Sequence, residues 1–126
     1  TQHGTPSGVA DLREHRLNYY VEAMLLVQDL DAALAKLPPM RTGISSTNVY
    51  AHLTATLQGA GIGLLPDFMA DAHPDLVNVL GEEFAHPATF WVIVRQESQR
   101  NPAVAAVYEA LKHYAETTLA PGPAVM

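Results

Sequence analysis

The chain has 126 residues, no cysteine, and seven basic against thirteen acidic residues, for a formal charge of −6. That length, with nearly half the residues apolar, fits one domain or one lobe of a larger one and allows a real core. The missing cysteines exclude disulfides and thiolate chemistry. The acidic balance excludes an unaided nucleic-acid surface, since Arg13, Arg16, Lys36, Arg41, Arg95, Arg100 and Lys112 are scattered and form no basic run. No apolar run is long enough to cross a bilayer and the start lacks a signal-peptide pattern, so a cytoplasmic protein with no membrane partner is expected. The chain begins without Met, as a mature or trimmed fragment does.

Residues 1–7, with Gly4 and Pro6, read as a turn-rich entry. Ser7 can cap a short helix reaching about His15, with Val9 and Leu12 facing inward. The run LNYYV at residues 17–21 favours a strand. Residues 22–37 admit two readings: helical spacing of Ala23, Leu26, Leu30, Ala33, Leu34 and Leu37, or a turn over 27–31. A loop, then a short helix from about Asp29 stopped by Pro38 and Pro39, is expected.

Residues 41–66, RTGISSTNVYAHLTATLQGAGIGLLP, carry the clearest pattern. Residues 42–45 can extend as a strand, and Ser46, Thr47 and Asn48 are three successive helix-capping types. Val49, Leu53, Leu57 and Ala60 recur at helical spacing. Gly59 and Gly61 suit a helix exit that needs a left-handed backbone, and the apolar run 62–65 closed by Pro66 reads as a short strand buried on both faces. Strand, helix and strand at this length predict a right-handed parallel crossover within an α/β fold.

Beyond Pro66, residues 67–72 predict one or two helical turns broken by His73 and Pro74. LVNVL at 76–80 predicts a short strand, and 81–87 an acidic connection. ATFWVIV at 88–94 predicts the strongest strand in the chain. Asn101 and Pro102 open a helix, striped by Val104, Val107, Tyr108, Leu111 and Tyr114 or Ala115, that ends near Thr118. Residues 119–126 predict a frayed tail.

In open parallel sheets ligands gather at the carboxyl ends of strands, where the following helices begin. The amides opening the helix near Asn48, with the hydroxyls of Ser45, Ser46 and Thr47 around them, can hold a carboxylate or another small anion. The same residues serve equally as an ordinary helix cap with the remainder hydrated. Catalysis has no comparable support. His3, His15, His52, His73, His86 and His113 contain no pair at metal-ligand spacing, so neither a metal nor another cofactor is expected. Glu82 and Glu83 read as a solvated face. No GxSxG is present, and the GAGIG of residues 59–63 follows a helix and precedes a strand, the reverse of a dinucleotide loop. No enzymatic activity is expected.

The order HGTPSGVADLREHRLNYYVEAM, SSTN before a helix, QGAGIGLLPDFMA, LVNVL and FWVIVRQESQRNPAVAAVYEALKHY resembles the later part of the effector-binding domain of LysR-type transcriptional regulators, over about residues 3–118. The resemblance implies a type II periplasmic-binding-protein-like lobe, a mostly parallel sheet flanked by helices, with a return strand and a C-terminal helix. Residues 9–84 would be the second lobe, 88–118 the return segment that packs into the first lobe in intact relatives, and 119–126 a tail. It further implies a small, anionic effector held between two lobes, self-association of the full-length protein as a dimer or tetramer, and DNA contact only through a helix-turn-helix that this chain lacks. The family's effector contacts carry over to Ser45, Ser46, Thr47 and Asn48, with Tyr20, Pro66 and Phe68 lining the same cleft end. Tyr20 and Phe68 read equally well as core aromatics. A transport-type solute-binding lobe shares the fold and is the alternative. Residues 88–94, cut off from first-lobe neighbours, are expected to repack or to pair with a second copy.

Overall fold

The computed structural model describes residues 4–24 and 28–119. The first three residues of the expected entry turn, the part of the ambiguous segment at 25–27, and the tail from Ala120 lie outside these residues. The chain divides between His86 and Pro87 into two compact units.

The first unit is an α/β layer. Its sheet has three strands, β1 (Arg16–Tyr19), β2 (Arg41–Ser45) and β3 (Ile62–Gly63), in the order β2-β1-β3. Both pairings are parallel, so β1 is central and the connection from β2 to β3 skips across it. Parallel strands need such long connections, and these are helical: α1 (Gln28–Leu34) before β2, α2 (Val49–Leu57) before β3, and α3 (Asp67–Ala70) after it. The expected strands at 17–21, 42–45 and 62–65 and the helix from Val49 are thus present. The last strand is only two residues long and half-buried rather than buried on both faces.

Local chemistry sets the ends of α2. Asn48 is extended at the N-cap and its Oδ1 accepts from the Tyr50 amide at 2.9 Å. At the other end Gly59 takes φ +74°, the Ala60 amide donates to Ala55 O and the Gly59 amide to Thr56 O. That pair of bonds satisfies two carbonyls the helix would otherwise leave open. The chain then passes Gly61, where a Cβ would lie 2.5 Å from the carbonyl oxygen of Arg16 in β1. Glycine therefore permits the close approach that starts β3.

Residues 8–15 differ from expectation in detail. Val9–Glu14 is a 3-10 helix whose N-cap is Gly8, without a side-chain cap. Ser7 instead donates from both its amide and its hydroxyl to the Asp11 carboxylate, a stronger acceptor, and these bonds hold the Asp11 carboxyl below its ordinary pKa. Leu12 is buried as expected.

The core gathers Leu12, Tyr19, Ala33, Leu53 and Ala55. Each larger apolar side chain so buried contributes about 1.5–3 kcal/mol. Two fully buried polar residues, Asn18 and His52, share it. Tyr19 donates its hydroxyl to Leu30 O at 2.8 Å. Burial first, then the charges of Tyr20, Asp31 and Glu22, push its pKa up from 10.0 to about 12. The folded state thus holds the neutral phenol more firmly than the unfolded chain does. Its contribution is complete below about pH 10 and lost as pH rises through about 12. Urea midpoints measured across that window are expected to fall more steeply for the wild type than for Tyr19→Phe. Equal slopes would show that Tyr19 is not the linked group.

Two expected strands are absent. Residues 76–80 turn instead: Asn78 Oδ1 accepts from the amides of Leu80 and Gly81, and Val77 is exposed. An Asx side chain this close to two amides competes with a ladder and wins when no strand lies alongside. The return strand at 88–94 is likewise not formed. The segment is irregular, with Trp91 80 % and Ile93 90 % exposed. β-propensity measures fit to neighbouring strands, and every described strand belongs to the first unit.

The second unit is built on α4 (Pro102–Thr118), opened as expected by Asn101, whose Oδ1 accepts from Ala103 N at 2.9 Å, and by Pro102 at its first position. A 3-10 turn at Ser98–Arg100 precedes it. The expected apolar stripe is only partly covered: Val104, Tyr108 and Ala115 are half-buried, whereas Val107, Leu111 and Tyr114 are exposed. A lone helix and turn offer too little opposing surface to bury the whole stripe.

Candidate functional site

Because all three strands are parallel, their carboxyl ends share one edge of the sheet. Tyr20 follows the central β1, Ser45 ends β2 and Ser46–Asn48 follow it on one side, and Pro66 and Phe68 follow β3 on the other. Every candidate effector residue therefore belongs to the edge where ligands gather in such sheets.

The turn after β2 is shaped by a bulge. Leu17 pairs with Thr42 and Tyr19 with Ser45, so β2 has one residue more than β1 over that span. The bulge takes the Ile44 amide out of the ladder, and Asn18, fully buried in β1, receives it on Oδ1 at 3.0 Å. Asn18 Nδ2 donates to Thr56 Oγ1 at 3.2 Å, and that hydroxyl donates on to His52 O at 2.8 Å. Gly43 leaves room for this side chain, because a Cβ there would collide with Asn18 Oδ1. One amide side chain thus ties β1, β2 and α2 together beneath the candidate turn.

Within the turn, Ser46 N donates to Tyr19 O at 3.2 Å and Ser46 Oγ accepts from Asn48 N at 3.1 Å. With Asn48 Oδ1 on Tyr50 N, two of the amides expected to face a ligand are satisfied locally. Ser46 still has its hydroxyl proton to donate, and the exposed Ser45 and Thr47 add theirs. The resulting chemistry is a patch of short, neutral hydrogen-bond donors at the mouth of a nine-residue helix, suited to a carboxylate or similar anion.

Two hollows flank this turn. One, of about 500 Å³, lies between β1, α1 and β2 and includes Tyr20, Glu22, Leu37, Arg41 and Ser45 in its wall. The other, more open and of about 570 Å³, is bounded by Ile44, Asn48, Tyr50 and Thr54. The strand register explains why Tyr20 and Ser45 line one hollow: Tyr19 is paired with Ser45, so the residue just after β1 arrives near it. Tyr20 also packs edge-on against His52, centroids 4.6 Å apart, and is thus both wall and packing partner. Pro66, at the N-cap of α3, and the half-buried Phe68 line neither hollow.

Sequence reasoning missed Asn18, His52 and Thr56 as parts of this site. His52 and Thr56 lie one turn apart on the inward face of α2, among the apolar positions. A polar pair interrupting an apolar stripe was the available signal. Among the described residues, no group of three or more His, Asp or Glu is placed to hold a metal ion. No described helix is long and apolar enough to cross a membrane.

A parallel α/β lobe with a donor-rich turn at its carboxyl edge is the architecture of a periplasmic-binding-protein-like ligand-binding module. The chain matches the family model of the LysR substrate binding domain over residues 1–116, and it belongs to that family. It is therefore a ligand-binding regulatory domain of the LysR type, in a family that regulates rather than catalyses. Comparisons with curated proteins and with solved structures each gave no significant match.

Proposed function

We propose that this domain senses a small anionic effector at the turn Ser45–Ser46–Thr47–Asn48, and that binding alters how the full-length regulator engages DNA. The observation that carries the reading is the coincidence of two independent features. The resemblance to the family implies effector contacts at this turn, and the turn opens a helix at the carboxyl edge of a parallel sheet with hydroxyl donors around it. Tyr20 walls the adjoining hollow. Pro66 and Phe68, at the end of the strand on the opposite side of β1, extend the same edge.

In this reading residues 9–84 are the second lobe of a two-lobed sensor and 88–118 its return segment, and the effector closes one lobe on the other. Closure has a regulatory effect only if the effector binds the closed state more tightly than the open one. DNA binding would reside in a helix-turn-helix outside this chain, in a cytoplasmic regulator that self-associates as a dimer or tetramer.

Calorimetric titration of the full-length regulator with a panel of small carboxylates tests the site. Ser46→Ala and Thr47→Ala are each expected to weaken binding about tenfold, the loss of a hydrogen bond to a charged acceptor. Unchanged affinity in both variants would remove the turn as the effector site.

A further inference from the structure

We propose that His52 is a positioning residue for the effector turn: through its hydrogen bond to the Ser46 carbonyl it turns the Ser46–Thr47 peptide so that the Thr47 N–H is presented outward to an anion. The inference rests on the effector-turn reading above and adds the device that orients it.

His52 is wholly buried, and its Nε2 lies 2.9 Å from Ser46 O. A carbonyl oxygen only accepts, so Nε2 carries the proton in this contact. Tyr19 stacks on the imidazole at 6.4 Å and Tyr20 meets it edge-on at 4.6 Å, which leaves the ring little freedom to swing away. The other ring nitrogen, Nδ1, is buried with no hydrogen-bond partner. A buried imidazole that satisfies only one nitrogen gives up hydrogen bonding that a hydrated one would keep. An apolar side chain of similar shape would fill the space without that cost. What the imidazole adds is therefore the single bond that it makes, and that bond ends on the turn.

The peptide linking Ser46 to Thr47 is trans, as are all the described peptide bonds. In a trans peptide the C=O and the following N–H point in opposite directions. With Ser46 O drawn inward to the buried ring, Thr47 N–H is turned away from it, and Thr47 itself is exposed. The neighbouring amides of Asn48 and Tyr50 are already occupied by Ser46 Oγ and Asn48 Oδ1. The Thr47 amide is thus the backbone donor that the His52 contact aims outward. The backbone of His52 is anchored in turn, since the Asn18–Thr56 link ends on the His52 carbonyl.

The test uses acetate as the probe on the full 126-residue chain, at constant ionic strength, read at the Thr47 amide by nitrogen–proton correlation spectra. The wild-type amide is expected to shift and saturate with acetate. His52→Phe keeps the ring and its packing but has no donor, and its apparent Kd is expected to rise about tenfold. His52→Gln places an N–H at nearly the reach of Nε2 and is expected to stay within about threefold of wild type. If His52→Phe does not fold, His52→Asn replaces it, since its shorter amide cannot reach Ser46 O, and the same rise is expected. A purely structural role predicts no rescue by glutamine beyond what the melting temperatures explain. A wild-type response that persists at equal affinity in the phenylalanine or asparagine variant overturns the positioning role alone. A wild-type Thr47 amide that ignores acetate defeats the effector-turn reading and the positioning role with it.

Discussion

Asn18→Leu is expected to lower the unfolding free energy by about 2–4 kcal/mol, although leucine has the same number and branching of side-chain heavy atoms as asparagine. The side chain is fully buried and makes two bonds: Oδ1 takes the Ile44 amide that the bulge frees, and Nδ2 reaches Thr56 Oγ1. Leucine leaves that amide without its acceptor and removes the donor facing Thr56. A buried polar group left unpaired costs more than the net value of the bond it made. Urea unfolding with an unchanged dependence on denaturant measures the loss. A value under about 1 kcal/mol would mean that water or a shifted register replaces Asn18. The same substitution in a Thr56→Val background is expected to cost less, with a coupling of about 1 kcal/mol between the two sites.

Gly61→Ala is expected to destabilise by about 2–4 kcal/mol, as overpacking against an immovable neighbour does. The added Cβ would lie 2.5 Å from Arg16 O and 3.1 Å from its carbonyl carbon, and both atoms are β1 backbone. A side chain could rotate away; a central strand cannot. The strand that must yield is β3, which is two residues long and held by the pairs Leu17–Ile62 and Asn18–Gly63. Gly59→Ala supplies the control. Gly59 has φ +74° but nothing within 4 Å of a Cβ, so its substitution should cost only the about 1–2 kcal/mol of a left-handed non-glycine residue. If both alanine variants lose the same amount, close approach is not what Gly61 provides.

These two positions differ in how legible they were. The glycines at 59 and 61 announce a helix exit, and the structure adds that both take a positive φ while Gly61 alone also makes a close contact with β1. Asn18 sits within LNYYV, a strand by residue type, and nothing in that run shows that its amide will meet a bulge 26 residues later in the chain. For His52 the sequence shows only that it lacks a partner at metal-ligand spacing. Its contact with Ser46 O depends on where the turn folds back over α2, and spacing along the chain does not report that. The turn at Ser45–Asn48 was legible because capping residues act on amides within three positions.

What the sequence determined by itself is whatever is decided within one helical turn: the Asn101 cap, a cap for α2 among Ser46, Thr47 and Asn48, the Gly59 exit, the proline at the start of α4, and the helical periodicity of α2. In each the donor and acceptor are near neighbours, so residue type and spacing specify the bond. Only the tertiary structure decided which apolar runs became strands. RLNY gained a ladder on both sides, whereas residues 76–80 and 88–94, richer in strand-forming residues, gained none. A strand is stabilised by groups on another strand, and that partner is chosen by the path of the whole chain rather than by the run itself.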